Sequence, residues 1–209
     1  MGGRREEILD AAIAIADEHG LDAVSMRAVA ERIGVTPMAL YRHVRDKSAL
    51  LDGLVGRLLA TLLPPGAGAQ PWDRRLTGIA HAARDLSREH PWAAQLLFSR
   101  PATTPDGALV VDAIYTALLE AGVPDSEVPR LERLVSTFVL GFVASEAAGR
   151  FAGADDRRAR RGAVPDGPLP AHARLSHWLR LPVDLTAEFD TDLRDLVQVI
   201  HAVVGAAGE

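Results

Sequence analysis

The stretch SMRAVAERIGVTPMALYRHVRDK, residues 25–47, has the pattern of two short helices joined by a tight turn. Ser25 is suited to cap the first helix, whose apolar residues recur at spacings of three and four. Gly34 ends that helix because glycine tolerates a left-handed backbone. Pro37 then suits the first position of a second helix, where no amide hydrogen is needed. The stretch therefore predicts a helix-turn-helix.

The second predicted helix, over residues 37–43, directs most of its side chains outward. Leu40 and the following Val44 are expected in the core. At about 1.5 Å per residue the helix is roughly 10 Å long, so it would enter the major groove of DNA end-on and read base edges with its first residues. The side chains predicted to face DNA are those of Pro37, Met38, Ala39, Tyr41, Arg42 and His43.

Phosphate contacts are predicted on either side of these base-reading positions. The Thr36 hydroxyl can cap the second helix, and Asp46 can cap the helix that follows. Lys47 then lies in a first helical turn, where the positive end of the helix dipole attracts a phosphate oxygen. Arg27, in the first turn of the preceding helix, can reach a guanine edge or a phosphate. Taken singly, each charge is equally typical of a solvated surface.

The run LYRHVRDKSALLDGLV, residues 40–55, resembles the DNA-binding domain of the TetR family of transcriptional regulators. A helix predicted from about Arg4 to His19 precedes it, as in that family. The family's most specific motif is matched by Leu40, Tyr41, His43 and Lys47. The resemblance implies phosphate contacts from Thr36, Tyr41, His43 and Lys47. It places near bases the residues Arg27, Pro37, Met38 and Ala39.

Composition indicates an all-α protein without catalytic or metal-binding motifs. The chain has 209 residues, 48% of them hydrophobic and 5% aromatic, and no cysteine. No apolar run approaches the roughly 18–20 residues that cross a bilayer, so a cytoplasmic location is expected. Nucleophile triads, phosphate-binding loops and paired metal motifs are missing from the sequence. We therefore expect neither an enzyme nor a cofactor or bound metal.

The charge balance shows that DNA binding has to depend on where the charges lie. The formal net charge is −5, and residues 1–47 hold seven Lys and Arg against eight Asp and Glu. A generic polyanion-binding protein would be basic throughout. A local patch within residues 36–47 can still release counterions from DNA, which predicts a moderate salt dependence.

The sequence divides into a helix-turn-helix domain of three helices, residues 1–47, and a larger helical bundle for ligand binding and dimerisation, residues 48–209. A leucine-rich helix over 47–63 connects them, and PPGAGAQP at 64–71 marks its end. Residues 153–169 are rich in Gly, Pro and charge and are predicted to form a flexible loop, in which the run Arg157–Arg161 is interpreted as solvated. Further helical patterns occur at 72–90, 91–98, 106–121, 125–152, 170–180 and 186–207.

Two of these helices predict a homodimer. Residues 130–152 and 188–207 carry apolar side chains on more than one face, although part of each stripe is expected in the intramolecular core. The family resemblance implies that the two helices pair with their symmetry mates in a four-helix interface. A twofold dimer would present two recognition helices roughly 34–36 Å apart, matching a palindromic operator.

The second domain also contains aromatic residues that could line a mostly apolar pocket, although each could equally belong to the core. The stretch EHPWAAQLLFSRP, residues 89–101, resembles tetracycline-repressor-like C-terminal domains. Leu63 and Leu96 occupy the positions of the two histidines that serve the tetracycline–magnesium complex there, which favours a more apolar ligand. The predicted pocket residues are Trp92, Phe98, Tyr115, Phe138, Phe142 and Trp178.

These observations together predict a ligand-responsive transcriptional repressor. It would bind a palindromic operator and release it when a small, mostly apolar molecule enters the second domain. Two alternatives stay open: a helical protein-interaction adaptor that does not read DNA, and a sensor of tetracycline-type metal chelates.

Overall fold

The computed structural model describes residues 3–63, 70–100, 102–151 and 169–207. Within these ranges it contains ten α-helices and no strand, which confirms the all-α prediction. Short 3-10 turns lie at Leu21–Ala23 and Trp178–Arg180. The α-helices are α1 Arg4–His19, α2 Met26–Arg32, α3 Pro37–Leu40, α4 Lys47–Ala60, α5 Trp72–Glu89, α6 Pro91–Ser99, α7 Pro105–Glu120, α8 Val128–Ala147, α9 Pro170–Leu175 and α10 Leu185–Ala207.

Side-chain caps and one glycine set the boundaries of α2 and α4. The Ser25 hydroxyl accepts a hydrogen bond from the Ala28 amide at 3.1 Å, and Asp46 Oδ1 accepts one from the Ala49 amide at 2.8 Å. Both bonds satisfy amides that have no partner inside their helices. Gly34, between α2 and α3, has a φ of 71°, a left-handed conformation that favours glycine. The predicted caps by Ser25 and Asp46 and the predicted turn at Gly34 are confirmed, whereas the predicted Thr36 cap is not formed.

Helix α3 is shorter than predicted: it ends at Leu40, whereas the sequence predicts its end at about His43. The Leu40 carbonyl accepts the amides of both His43, at 2.8 Å, and Val44, at 2.9 Å, which tightens the chain into a turn. Thr36 occupies the N-cap position of α3, but its hydroxyl makes no capping bond. Its carbonyl instead accepts the Ala39 amide at 2.9 Å.

The later helices follow the predicted pattern with two differences. The patterns at 72–90, 91–98, 106–121 and 186–207 agree with α5, α6, α7 and α10 to within one residue at each end. Helix α8 ends at Ala147, earlier than the predicted residue 152, because Gly149 adopts a φ of 65° and turns the chain. The segment predicted near 170–180 divides into α9 and a 3-10 turn. The predicted loop 153–169, with Arg157–Arg161, lies outside the described residues apart from Leu169.

Helix α4 lies between the N-terminal helices and the second bundle. It packs against α1 on one side and against α6 and α7 on the other. Its buried residues Leu50, Leu54 and Leu58 belong to one hydrophobic core that continues from α1 through α4 into α7 and α8. Gly53 lies against Leu9 of α1, and Gly56 lies against Thr104, the N-cap residue of α7. Because glycine has no side chain, Leu9 and Thr104 can approach the backbone of α4 closely.

A buried ion pair holds the second bundle together. Arg84 of α5 is only 2% exposed, and its Nε and Nη2 donate to the Glu146 carboxylate of α8 at 2.9 and 2.8 Å. Its guanidinium carbon lies 4.9 Å from the centre of the Phe189 ring of α10. The hydrogen bonds from Arg84 lower the pKa of Glu146 and keep that carboxylate charged. One side chain therefore ties α5, α8 and α10 together.

The close approach at Gly56 predicts the effect of a single added methyl group. In Gly56→Ala the new Cβ would overlap the Thr104 hydroxyl and lie 3.0 Å from the Thr104 Cβ, so Thr104 would have to abandon its cap on Gly107. We expect a loss of about 1–3 kcal/mol in the free energy of unfolding, measured by urea titration.

Gly78→Ala is the matched control, because a Cβ there meets no atom within 4 Å. Alanine is preferred to glycine inside a helix, so this variant should gain about 0.5–1 kcal/mol. Equal stabilisation by both substitutions would show that α4 and α7 are not packed as closely as described.

Candidate nucleic-acid interface and effector cavity

The predicted DNA-facing residues form one exposed surface around α3. Thr36, Pro37, Arg42 and His43 are exposed, as are Arg27 at the start of α2 and Lys47 at the start of α4, and Ala39 is half-buried. Met38 is 75% exposed and Tyr41 49% exposed, although both are large apolar or aromatic side chains. Leu40 and Val44 are buried and fix the turn to the core. The surface is therefore rigidly supported and available to a partner.

The cations of this surface are not engaged within the protein. Among the described residues, Arg27, Arg42, His43 and Lys47 have no side-chain hydrogen bond or ion pair. Arg32 instead makes two hydrogen bonds to Glu18, at 2.8 and 2.5 Å, which lower the pKa of Glu18. The unengaged cations are those predicted to contact DNA, and phosphate oxygens are their natural partners.

The start of α4 combines a capped helix end with a free lysine. Asp46 accepts the Ala49 amide and pairs with Arg45 Nε at 2.9 Å, and the amide is the larger cause of its lowered pKa. The Asp46 carboxylate thus already complements the positive end of the α4 dipole. The Lys47 side chain, more than the capped amides, is the group that this helix end offers to a phosphate.

A cavity of about 350 Å³ lies in the second bundle, between α4, α5, α6, α7 and α8. Its volume falls in the range that holds drug-sized ligands. Polar groups reach it from Ser99, Arg100, Glu132 and Ser136. The wall is otherwise mostly aliphatic, with side chains that include Leu59, Leu62, Ile79, Val110, Val135 and Val139.

Of the six predicted pocket residues, Phe98 alone lies in the described wall of this cavity, whereas Phe138 and Phe142 border a separate, more open hollow. Trp92 Nε1 donates to Asp17 of α1 at 2.6 Å. Phe138 and Phe142 pack around Phe189, with ring centres 6.1 and 4.7 Å from it. The other two predicted residues are Tyr115, in a shallow outer hollow beside α7, and Trp178, which is 67% exposed.

This difference has a packing cause. The aromatic rings fill the space between α8 and α10, whereas shorter aliphatic side chains leave space between α4 and α8. Sequence reasoning therefore missed the aliphatic wall and its polar groups Arg100 and Glu132. One signal was present, because Glu132 and Ser136 stand one turn apart on a helix whose neighbouring positions are apolar.

Arg100 joins the cavity wall to α4. Its Nη1 donates to Asp52 Oδ1 at 2.5 Å and lies 3.3 Å from the Ser48 hydroxyl. Asp52 and Ser48 belong to the first two turns of α4, close in sequence to Lys47. A cavity-lining side chain is thus bonded directly to the helix that starts at the candidate DNA surface.

Two family models together account for most of the chain. Residues 8–54 match bacterial regulatory proteins of the tetR family, and residues 64–194 match the tetracyclin repressor-like C-terminal domain. The chain belongs to the TetR family. The resemblance drawn from Leu40–Val55 and residues 89–101 is confirmed, and so is its functional class, a DNA-binding transcriptional regulator.

Individual relatives agree with this TetR-family assignment. The HTH-type transcriptional repressor DrrR1 of Streptomyces coeruleorubidus is 31% identical over 183 residues, which cover 82% of this chain and 68% of the relative. ActR of Streptomyces coelicolor in complex with actinorhodin shares the fold, with a TM-score of 0.83, 23% identity and coverage of 98% and 100%. BioQ with its double-stranded DNA operator has a TM-score of 0.62, 26% identity and coverage of 86% and 99%.

The described part of this TetR-family chain shows neither a membrane-spanning helix nor a metal-binding cluster. Over residues 3–63, 70–100, 102–151 and 169–207, no helix is long and apolar enough to span a membrane. The same ranges contain no group of three or more His, Cys, Asp or Glu side chains placed to hold a metal ion.

Lys47, at the start of α4, is predicted to contribute to DNA affinity through a phosphate contact. Lys47→Ala should weaken binding to all DNA sequences alike and reduce the slope of log K against log salt by about 1 per bound subunit, because each subunit loses one phosphate contact. Fluorescence anisotropy at several salt concentrations measures both quantities. Met38→Ala should instead change the preference between sequences.

Arg45→Ala is the matched control for Lys47→Ala. The Arg45 side chain is 85% exposed and carries the same charge two residues away, but it already pairs with Asp46. It should therefore change the salt slope little. Equal effects of Lys47→Ala and Arg45→Ala would mean that net charge, not a placed lysine, controls affinity.

Proposed function

We propose that this protein is a ligand-responsive repressor in which α4 transmits occupancy of the cavity to the DNA surface. The observation that carries the proposal is the position of α4 itself. Lys47 begins this helix at the candidate DNA surface, and Leu59 and Leu62, at its end, line the cavity. Its 14 residues, at about 1.5 Å each, span roughly 21 Å. One rigid element thus touches both sites.

Ligand binding would act through a shift between two arrangements of α4. A molecule in the cavity presses on Leu59 and Leu62 and disturbs the Arg100–Asp52 bond, so it binds better when α4 has tilted away. A ligand shifts such an equilibrium only by its difference in affinity for the two states. The tilted arrangement would separate the recognition helices from successive major grooves and release the operator.

On the DNA side, we propose that the exposed surface around α3 divides its contacts between phosphates and bases. The operator-bound structure of BioQ supports double-stranded DNA as the partner. The free cations and the exposed Met38 and Tyr41 support the assignment of residues. The proposed phosphate contacts are Thr36, Tyr41, Arg42, His43 and Lys47, and the proposed base-proximal residues are Arg27, Pro37, Met38 and Ala39.

We also propose a homodimer that pairs α8 and α10, within the predicted ranges 130–152 and 188–207, with their symmetry mates. Leu134 of α8 is 39% exposed and Val199 of α10 is 41% exposed, although both helices also contribute to the core. Small residues on α8, including Ala144 and Ala147, would permit close helix contact. A twofold dimer would match a palindromic operator.

The rest of the assignment follows from the role of a regulator. We propose a division into a DNA-binding domain, residues 1–47, and a ligand-binding and dimerisation domain, residues 48–209, with matches to separate family models as support. The site of action would be the cytoplasm, where operator DNA is accessible. Its relatives are named as regulators, and we propose no catalytic activity for this chain.

Filling the cavity covalently tests the coupling without knowledge of the effector. Ala83 is 3% exposed and lies in the cavity wall, so the ring in Ala83→Phe should imitate a bound ligand. We expect operator affinity to fall at least about tenfold, a cost of about 1.4 kcal/mol. The measurement is a gel shift with the promoter DNA beside the protein's own coding sequence.

Ala187→Phe, at an exposed position of α10, is the control for this experiment. It adds the same ring outside the cavity and should leave operator affinity unchanged. If Ala83→Phe keeps its fold by circular dichroism and binds the operator as the wild type does, cavity occupancy does not control DNA binding.

The dimer is tested by placing a charge on the exposed face of α8. Leu134→Glu should shift the protein from dimer to monomer in sedimentation velocity at micromolar concentration, because a buried unpaired carboxylate opposes association. Leu119→Glu alters a leucine of α7 that is 49% exposed and should leave the dimer intact. A monomeric wild type, or equal behaviour of both variants, would contradict the proposed interface.

A further inference from the structure

We infer that the effector of this cavity carries a protonated amine, and that Glu132 is the residue that binds it. The inference rests on the proposed function of the cavity as the effector site and specifies the chemical class of its ligand. It follows from how the charges of the cavity wall are paired.

Two ionised side chains occur in the described wall, and only one of them has an opposite charge beside it. Arg100 is paired with Asp52, with an Nη1 to Oδ1 distance of 2.5 Å. Glu132 has no Lys, Arg or His nitrogen of the described residues within 4.0 Å of its carboxylate. The charge that the cavity leaves uncompensated is therefore negative.

The carboxylate of Glu132 is held in a fixed position. Its Oε1 accepts a hydrogen bond from the Ser136 hydroxyl at 2.6 Å, and its Oε2 accepts none from a described residue. Glu132 is half-buried, and its neighbours in the wall include Val135 and Val139. A carboxylate among apolar groups gains most from a cationic hydrogen-bond donor, because such a partner restores the solvation that burial removes.

The wall also disfavours the opposite class of ligand. An anionic molecule would meet the negative charge of Glu132, and the positive charge of Arg100 is already offset by the carboxylate of Asp52. A neutral molecule without a donor would leave Oε2 of Glu132 without a hydrogen-bond partner in a site from which it has displaced water. An apolar ring system with one ammonium group satisfies both the aliphatic wall and Glu132.

Three probes with one ring system and different charges test this inference. They are 9-(aminomethyl)anthracene, 9-methylanthracene and anthracene-9-carboxylate, and binding to the full chain without DNA is followed by anthracene fluorescence. We expect the amine to bind at least about tenfold more tightly than the methyl compound, and the carboxylate to bind most weakly, as a charged hydrogen bond predicts. A carboxylate probe that binds most tightly would overturn the inference.

Single-residue variants test whether the preference for the amine depends on Glu132. Glu132→Gln keeps the size of the side chain and an acceptor for Ser136, so it should abolish the preference for the amine over 9-methylanthracene. Glu188→Gln removes the same charge from an exposed position of α10 and should retain the preference. A preference that survives Glu132→Gln, or amine binding unaffected by Ala83→Phe, would show that the amine does not bind Glu132 in this cavity.

These titrations contain no DNA, so their outcome is separate from the test of repression. Loss of operator control in Ala83→Phe concerns the proposed function, whereas the charge preference and its dependence on Glu132 concern the ligand class alone.

Discussion

Helix α4 has to pack against two neighbours at once, and the rest of the structure depends on this constraint. Leu50, Leu54 and Leu58 are fully buried in a core shared by the N-terminal helices and the second bundle. Gly53 and Gly56 let α1 and the start of α7 approach the helix so closely that a Cβ would collide with Leu9 or Thr104. Because close-packed interiors do not deform continuously, a displacement at one end of α4 has to reach the other.

The helices of the second bundle, against which α4 packs, are held firmly to one another. Arg84 binds Glu146 and lies over Phe189, so α5, α8 and α10 are fixed to one another by a buried pair that is costly to break. Beside the shared apolar core, the ion pairs that cross to α1 are more exposed, as in Asp17 with His90 Nδ1 at 2.7 Å and Asp10 with Arg57 at 3.1 Å. Exposed ion pairs contribute little, and they rearrange more easily than the buried core.

The sequence was a good guide to local structure and a poor guide to the cavity. Ser25, Gly34 and Asp46 act through their own backbone neighbourhoods, so their roles could be predicted from residue type and spacing. The early end of α3 depends on the Leu40 carbonyl, which accepts two backbone amides. No side chain in the sequence indicates this hydrogen-bond pattern. The lining of the cavity depends on which helices leave space between them, a property of tertiary packing. The sequence therefore predicts Phe142 and Trp92 in the pocket wall, whereas neither lies in the described wall of the 350 Å³ cavity: Phe142 packs against Phe189 and Trp92 bonds to Asp17 of α1.

The most direct test of the proposed coupling through α4 is the distance between the two DNA surfaces of the proposed dimer. The chain has no cysteine, so Glu31→Cys, at an exposed position of α2, gives one spin label per subunit. Double electron–electron resonance then measures the distance between labels with and without the ring that Ala83→Phe adds to the cavity. If α4 couples the cavity to the DNA surface, the cavity-filled variant without DNA should show a distance distribution displaced from that of the free labelled protein. Identical distributions in the free labelled protein and in the cavity-filled variant would contradict this coupling.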